Sequence, residues 1–140
     1  MPYEYFSHTA DIGVRLWADD AASLFASGAA ALTEVLVDPA SIRIADAVTL
    51  TSAAPAIDLL LHAFLSEVLF QFDARHRLVA EVSVVFRRED DLLVVEATTM
   101  GEPLDPARHR VKSLVKGVTY HELAVTESGG RWEATVVFDI

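Results

Sequence analysis

Cysteine is absent from the 140-residue chain, which excludes thiol nucleophiles, thiolate metal sites, disulfides and redox switching. A reducing compartment agrees with that absence, and the cytoplasm is the expected location. Positive charge is scarce as well: 11 Lys and Arg face 21 Asp and Glu, for a formal charge of −10. Most nonspecific nucleic-acid affinity comes from clustered cations that neutralise phosphates and release counterions. No basic run stands out beyond Arg87-Arg88, so direct RNA or DNA binding is not expected. An acidic surface suits docking onto a basic partner, or simply keeps a protein in solution. Long apolar runs are also missing. Asp58, His62 and Glu67 interrupt the most hydrophobic stretch, well short of the ~20 residues that span a membrane. The opening MPYEYFSHTADIG lacks the basic start and apolar run of a secretory leader. A soluble protein with no membrane association is expected. Missing too are a Gly-rich phosphate loop, a GxSxG elbow, an HExxH pair and a dinucleotide fingerprint. The histidines at 8, 62, 76, 109 and 121 show no metal-hydrolase spacing.

What is present suffices for one domain covering residues 1–140, since the chain is 52% hydrophobic and ~100 to 200 residues is the usual size of a folding unit. Apolar residues at helical spacing predict a helix from about Ala21 to Val37, with Asp19 and Asp20 placed to cap it and Pro39 beyond its end. A second, broadly apolar helix is predicted from about Ala56 to Phe72, with Pro55 near its first turn. Strands are expected at Gly13 to Trp17, Val48 to Thr51, Leu78 to Arg87, Leu92 to Thr99, Val115 to Val125 and Arg131 to Asp139. Glu89-Asp90-Asp91 and Ser128-Gly129-Gly130 read as hairpin turns. The elements do not alternate regularly, so the expected class is α+β: two helices packed on a largely antiparallel or mixed sheet.

Four clusters could carry chemistry. In HTADIG, Asp11 precedes the first strand beside His8 and Thr9, with Gly13 allowing close approach of another backbone; the plainer reading is a capped turn. In the last strand, alternation puts Glu133, Thr135, Val137 and Asp139 on one side, and the terminal carboxylate of Ile140 follows Asp139. Two such anions repel unless a cation intervenes or one keeps its proton. If the first strand lies near the last, Asp11 joins them in an all-oxygen pocket that favours calcium, magnesium or manganese over zinc; the plainer reading is a solvated terminus. In VKGVTYHEL, alternation groups Lys116 with Val118, Tyr120 and Glu122, and Lys116 either neutralises carboxylates or a phosphate or reaches out to solvent. Met100 to Arg110, with Glu102, Asp105, Arg108 and His109, reads as an exposed irregular loop, either a docking loop or a rigid connector.

HTADIG, GEPLDPARH followed by VKGVTYHEL, and the closing WEATVVFDI together resemble the archease family, in its order and at its spacing, over essentially the whole chain. The helix LLLHAFLSEVLFQF looks like the family's second helix. The sequence departs from the family pattern at Gly117, where Ala is expected, and at Glu122, where Gly is frequent. The resemblance implies a compact α+β domain that acts with an RtcB-type tRNA ligase, a GTP- and manganese-dependent enzyme, promoting its guanylylation and multiple turnover in tRNA splicing or RNA repair. It implies metal ligands at Asp11, Asp139 and Ile140 and a functional lysine at Lys116; His8 and Glu102 are candidate supporting residues behind the ligands. The implied cofactor is a hard divalent cation, calcium first, with manganese or magnesium as alternatives. The chain is then an activator and not itself an enzyme. Competing readings are a general chaperone or modulator of RNA-modifying enzymes, which would act without metal, and a stand-alone metal-dependent hydrolase, for which no general base is evident.

Overall fold

The structure is a computed structural model that describes residues 2–8 and 11–140, with the main-chain pairing alone at residues 7 and 8. Across the described residues the order is β1 (Tyr3–His8), β2 (Asp11–Ala18), α1 (Ala21–Leu36), a 3-10 turn (Pro39–Ser41), β3 (Asp46–Ala54), α2 (Ile57–Arg75), β4 (Arg77–Glu89), β5 (Leu92–Pro103), β6 (Gly117–Val118), β7 (Ala124–Ser128) and β8 (Arg131–Asp139). Asp20 starts α1 by accepting a hydrogen bond from the Ser23 N–H at 2.7 Å, which satisfies one of the helix's orphan donors. Ala56 caps α2 without a side-chain bond; Asp58 in its first turn and Arg75 in its last instead complement the helix dipole. His76, in the left-handed conformation at φ 51°, ends the helix.

Every strand pair is antiparallel. A five-stranded sheet runs β1-β2-β8-β6, with β7 also on β8, and a three-stranded sheet runs β3-β5-β4. The expected α+β class with two helices on antiparallel sheet is therefore what the chain adopts. The α1 helix packs on β4 and β2, and α2 on β3. Their apolar faces meet in a core where Phe25, Phe64 and Phe138 are fully buried and Phe25 stacks on Phe64 at 5.6 Å. Burying one such side chain contributes ~1.5 to 3 kcal/mol over leaving it exposed. The helices approach closely at Gly28, where a Cβ would lie 3.3 Å from a methyl of Leu65. Among the described residues no helix is long and apolar enough to cross a membrane.

Three expectations need correction. A strand, β1, precedes Gly13. The single strand expected from Val115 to Val125 is two short strands separated by a turn at residues 119–123, where Glu122 has φ 54°; Lys116 and Glu122 thus do not share an unbroken strand face. The 100–110 segment is not an exposed loop: its first part completes β5, and Glu102 and His109 are buried. The Ser128–Arg131 pairing leaves a two-residue Gly129-Gly130 turn with both φ positive, the backbone that a tight hairpin of this twist demands.

Candidate metal centre

The site follows from strand register. In the β2–β8 ladder Asp11 pairs with Asp139, Gly13 with Val137 and Arg15 with Thr135. Opposed residues share a face and successive residues alternate. Val14, Leu16, Val136 and Phe138 are buried on the helix side, so Asp11 and Asp139 occupy the other face, at the end of the sheet. Both are half-buried. Directly opposed residues of an antiparallel pair have Cβ atoms ~4.5 to 5.5 Å apart. Two carboxylates so placed repel, and a cation or a retained proton relieves the repulsion.

Main-chain contacts add the other C-terminal residues. The Lys116 N–H donates to the Asp139 carbonyl at 2.6 Å, and Gly117 is Asp139's register partner on β6. The structure thus brings Asp11, Asp139 and the Lys116 backbone together, with Ile140 the next residue along the chain; the Lys116 side chain is exposed. His8 pairs with Asp11 along β1, but its side chain, like Thr9 of the same motif, lies outside the described residues. Among the described residues no three His, Cys, Asp or Glu side chains converge as a metal cluster. The candidate donor set is two carboxylates plus the oxygens of Ile140.

Gly13 admits a side chain and not the backbone that its place in HTADIG suggests. A Cβ there would lie 2.2 Å from the Phe6 ring, which sits over it in register. The Arg15 guanidinium covers that ring at 4.5 Å, and Val137, next in the row, is fully buried.

Glu102 does not support the pair. It lies on β5 in the other sheet, and its carboxylate accepts from both terminal nitrogens of Arg108, from the Arg43 N–H at 2.6 Å and from His109 Nε2 at 2.8 Å. His109 Nδ1 accepts from the Asp105 N–H at 2.8 Å, so the ring proton resides on Nε2 and points at Glu102. The Arg108 bonds, then the Arg43 N–H, hold the Glu102 carboxyl well below the usual carboxylate range. This network makes Glu102 to His109 a rigid connector.

Sequence reasoning missed several neighbours. Tyr3 and Tyr5 both donate to Glu34 Oε2, at 2.6 and 2.9 Å. Burial and the Glu34 carboxylate push the Tyr3 phenol up to about 12 and that of Tyr5 higher still. Tyr5, Asp11, Glu34 and Lys112 line a cleft of about 550 Å³, and Lys112 is fixed by its N–H bond to the Leu36 carbonyl at 2.7 Å. The alternating Tyr-Glu-Tyr at residues 3–5 was the available signal for β1.

A two-sheet α+β domain whose second and last strands oppose two aspartates at a sheet end defines the class: a small protein of two helices on antiparallel sheets. The model of the archease protein family (MTH1598/TM1083) matches residues 3–140, and the chain belongs to that family. The archease of Methanopyrus kandleri is 33% identical over 140 residues, the whole of both chains, and that of Pyrococcus furiosus is 31% identical over 99% of this chain and 98% of its own. The solution structure of protein 1598 from Methanobacterium thermoautotrophicum superposes with TM-score 0.86 at 28% identity, covering 99% of each chain. An archease from Thermotoga maritima, described as a possible chaperone, has TM-score 0.60 at 17% identity over 96% of this chain and 94% of its own; at that identity the likeness is one of fold.

Proposed function

We propose that this archease-family chain is a metal-binding accessory protein that activates an RtcB-type RNA ligase, promoting its guanylylation and multiple turnover in tRNA splicing or RNA repair. The observation that carries the reading is the Asp11–Asp139 register pair with Ile140 one residue on. The donor chemistry fits a hard divalent cation: oxygens alone select calcium, magnesium or manganese over softer metals. Asp11, Asp139 and the Ile140 oxygens would hold it. If each of the three residues binds through one oxygen, they leave positions open in the six to eight that calcium takes, and those positions suit a partner's oxygens or a phosphate. Bound there, the cation would supply electrostatic stabilisation of phosphate oxygens. The chain's own residues would present the ligands rigidly, through strand pairing and the Lys116–Asp139 main-chain bond.

The test is multiple-turnover RNA ligation with purified RtcB-type ligase. Asp11→Ala and Asp139→Ala should each abolish stimulation while leaving single-turnover ligation by the ligase unchanged. Full stimulation by both variants would remove the carboxylate pair from the mechanism. Equal suppression of aggregation for several unrelated clients, with or without metal, would favour a general chaperone instead.

A further inference from the structure

Leu114 and Tyr120 are 68% and 67% exposed, more than any other large apolar residue described. They flank β6, the two-residue strand that pairs with Asp139, at three residues on either side of Gly117. Tyr120 is held in place. The Tyr120 ring stacks on His62 at 3.9 Å with 14° between the planes. His62 is itself pinned: its Nε2 lies 2.7 Å from the Val118 carbonyl, which can only accept, so Nε2 carries the proton. The turn behind Tyr120 is fixed three more ways. The Thr119 hydroxyl donates to the Val137 carbonyl at 3.0 Å, the His121 N–H donates to Thr119 Oγ1 at 3.2 Å, and the Leu123 N–H donates to the Tyr120 carbonyl at 3.2 Å. A large aromatic held in one place while most of its surface faces water has already lost the freedom that binding would otherwise cost it.

The local charge differs from that of the chain. Arg108, Arg110, Lys112 and Lys116 fall within nine residues, and only Arg108 is neutralised by an acidic partner among the described ion pairs. Resting on the proposed function, we infer that Leu114 and Tyr120 are the anchors by which this protein seats on its ligase, on a surface with apolar recesses for the two side chains and acidic groups facing Arg110, Lys112 and Lys116. The expectation of an acidic protein meeting a basic partner is reversed at this spot. A second copy of this chain is a poor occupant, because two bodies of charge −10 repel as they approach. A partner seated here lies against β6, the strand whose Gly117 pairs with Asp139.

The experiment measures binding of the full chain to purified RtcB-type ligase by calorimetry, alongside stimulation of ligation. Leu114→Ser and Tyr120→Ser should each weaken binding about tenfold or more, as truncated hot-spot residues do, with the melting temperature unchanged in Leu114→Ser and lowered in Tyr120→Ser only by the loss of the His62 stack. His62→Ala should weaken it less, by freeing the Tyr120 ring, whereas Asp11→Ala should still bind while failing to stimulate. If the unaltered chain binds and stimulates, and Leu114→Ser and Tyr120→Ser do both equally well, the docking inference is wrong and the proposed function stands. If the unaltered chain neither binds nor stimulates, the proposed function falls and takes the inference with it. A sedimentation-detected dimer that Leu114→Ser dissociates would assign the patch to self-association and overturn it as well.

Discussion

Replacing Gly13 by alanine probes the packing beside the carboxylate pair without touching a carboxylate. The added Cβ would sit 2.2 Å from the Phe6 ring, whereas ordinary carbon contacts are ~3.5 to 4.0 Å. The ring must therefore move by more than an ångström. It is the far end of a side chain and can swing outward, but doing so uncovers the Gly13–Val137 row and separates it from Arg15. Overpacking of this kind costs ~1 to 3 kcal/mol, and the exposed cation–π contact contributes ~0.5 to 1 kcal/mol of its own. With unfolding entropy of ~2.1 cal/mol/K per residue, or ~0.3 kcal/mol/K for a chain of this length, the two costs together should lower the melting temperature by ~5 to 14 °C. Circular-dichroism melts check this, with Gly117→Ala as control: nothing lies within 4 Å of a Cβ there, and the substitution should be neutral or stabilising by up to ~1 kcal/mol. Because the cost is assigned to one ring, Phe6→Ala should absorb most of it, so that Gly13→Ala costs much less in the Phe6→Ala background. Equal costs in both backgrounds would refute the assignment.

Gly101 is the harsher case. A Cβ there would lie 1.8 Å from the Leu78 carbonyl oxygen, beside the bulge between Val79 and Glu81. That oxygen belongs to the main chain and cannot swing aside, so Gly101→Ala should cost ~3 kcal/mol or more, read as lost soluble yield or a collapsed melt. The Glu102 carboxyl is held low in the folded state, so its contribution is complete above its unfolded value, ~4.3, and is lost as pH falls below that toward the folded value. Glu102→Gln should flatten the acid limb of a stability-against-pH curve; an unchanged limb would contradict the Arg108 network. Tyr3, raised to about 12, contributes stability that is complete below ~10, its unfolded value, and is lost as pH rises from there through 12. Tyr3→Phe should blunt that alkaline loss, followed by melts between pH 9 and 12.

Helix content was plain in the sequence because apolar spacing, Asp20 and the chain's few prolines all agree; α1 ends within one residue of its expected limit, and α2 outruns its expected end only until His76 turns left-handed. The two hairpin turns were equally legible from Asp90-Asp91 and Gly129-Gly130. What failed was any feature set by tertiary contact. Strand β1 carries little local signal apart from Tyr3 and Tyr5, and its purpose is visible only when both phenols reach Glu34. The 115–125 stretch alternates like one strand, yet it turns at residues 121–122, where Glu122 has φ 54° and the Leu123 N–H bonds the Tyr120 carbonyl. Glu102 reads as a polar loop residue until Arg108 and His109 close around it. Asp11 and Asp139 stand 128 positions apart, and only the β2–β8 register joins them; motif resemblance anticipated that juxtaposition, whereas alternation alone left it open.

The proposed function requires that the opposed aspartates bind a hard divalent cation. Titration calorimetry with manganese and calcium should give one site on the unaltered chain, lost in both Asp11→Asn and Asp139→Asn while Lys116→Ala keeps it. A chain that takes up neither ion, or asparagine variants that bind as tightly as the unaltered chain, would contradict it.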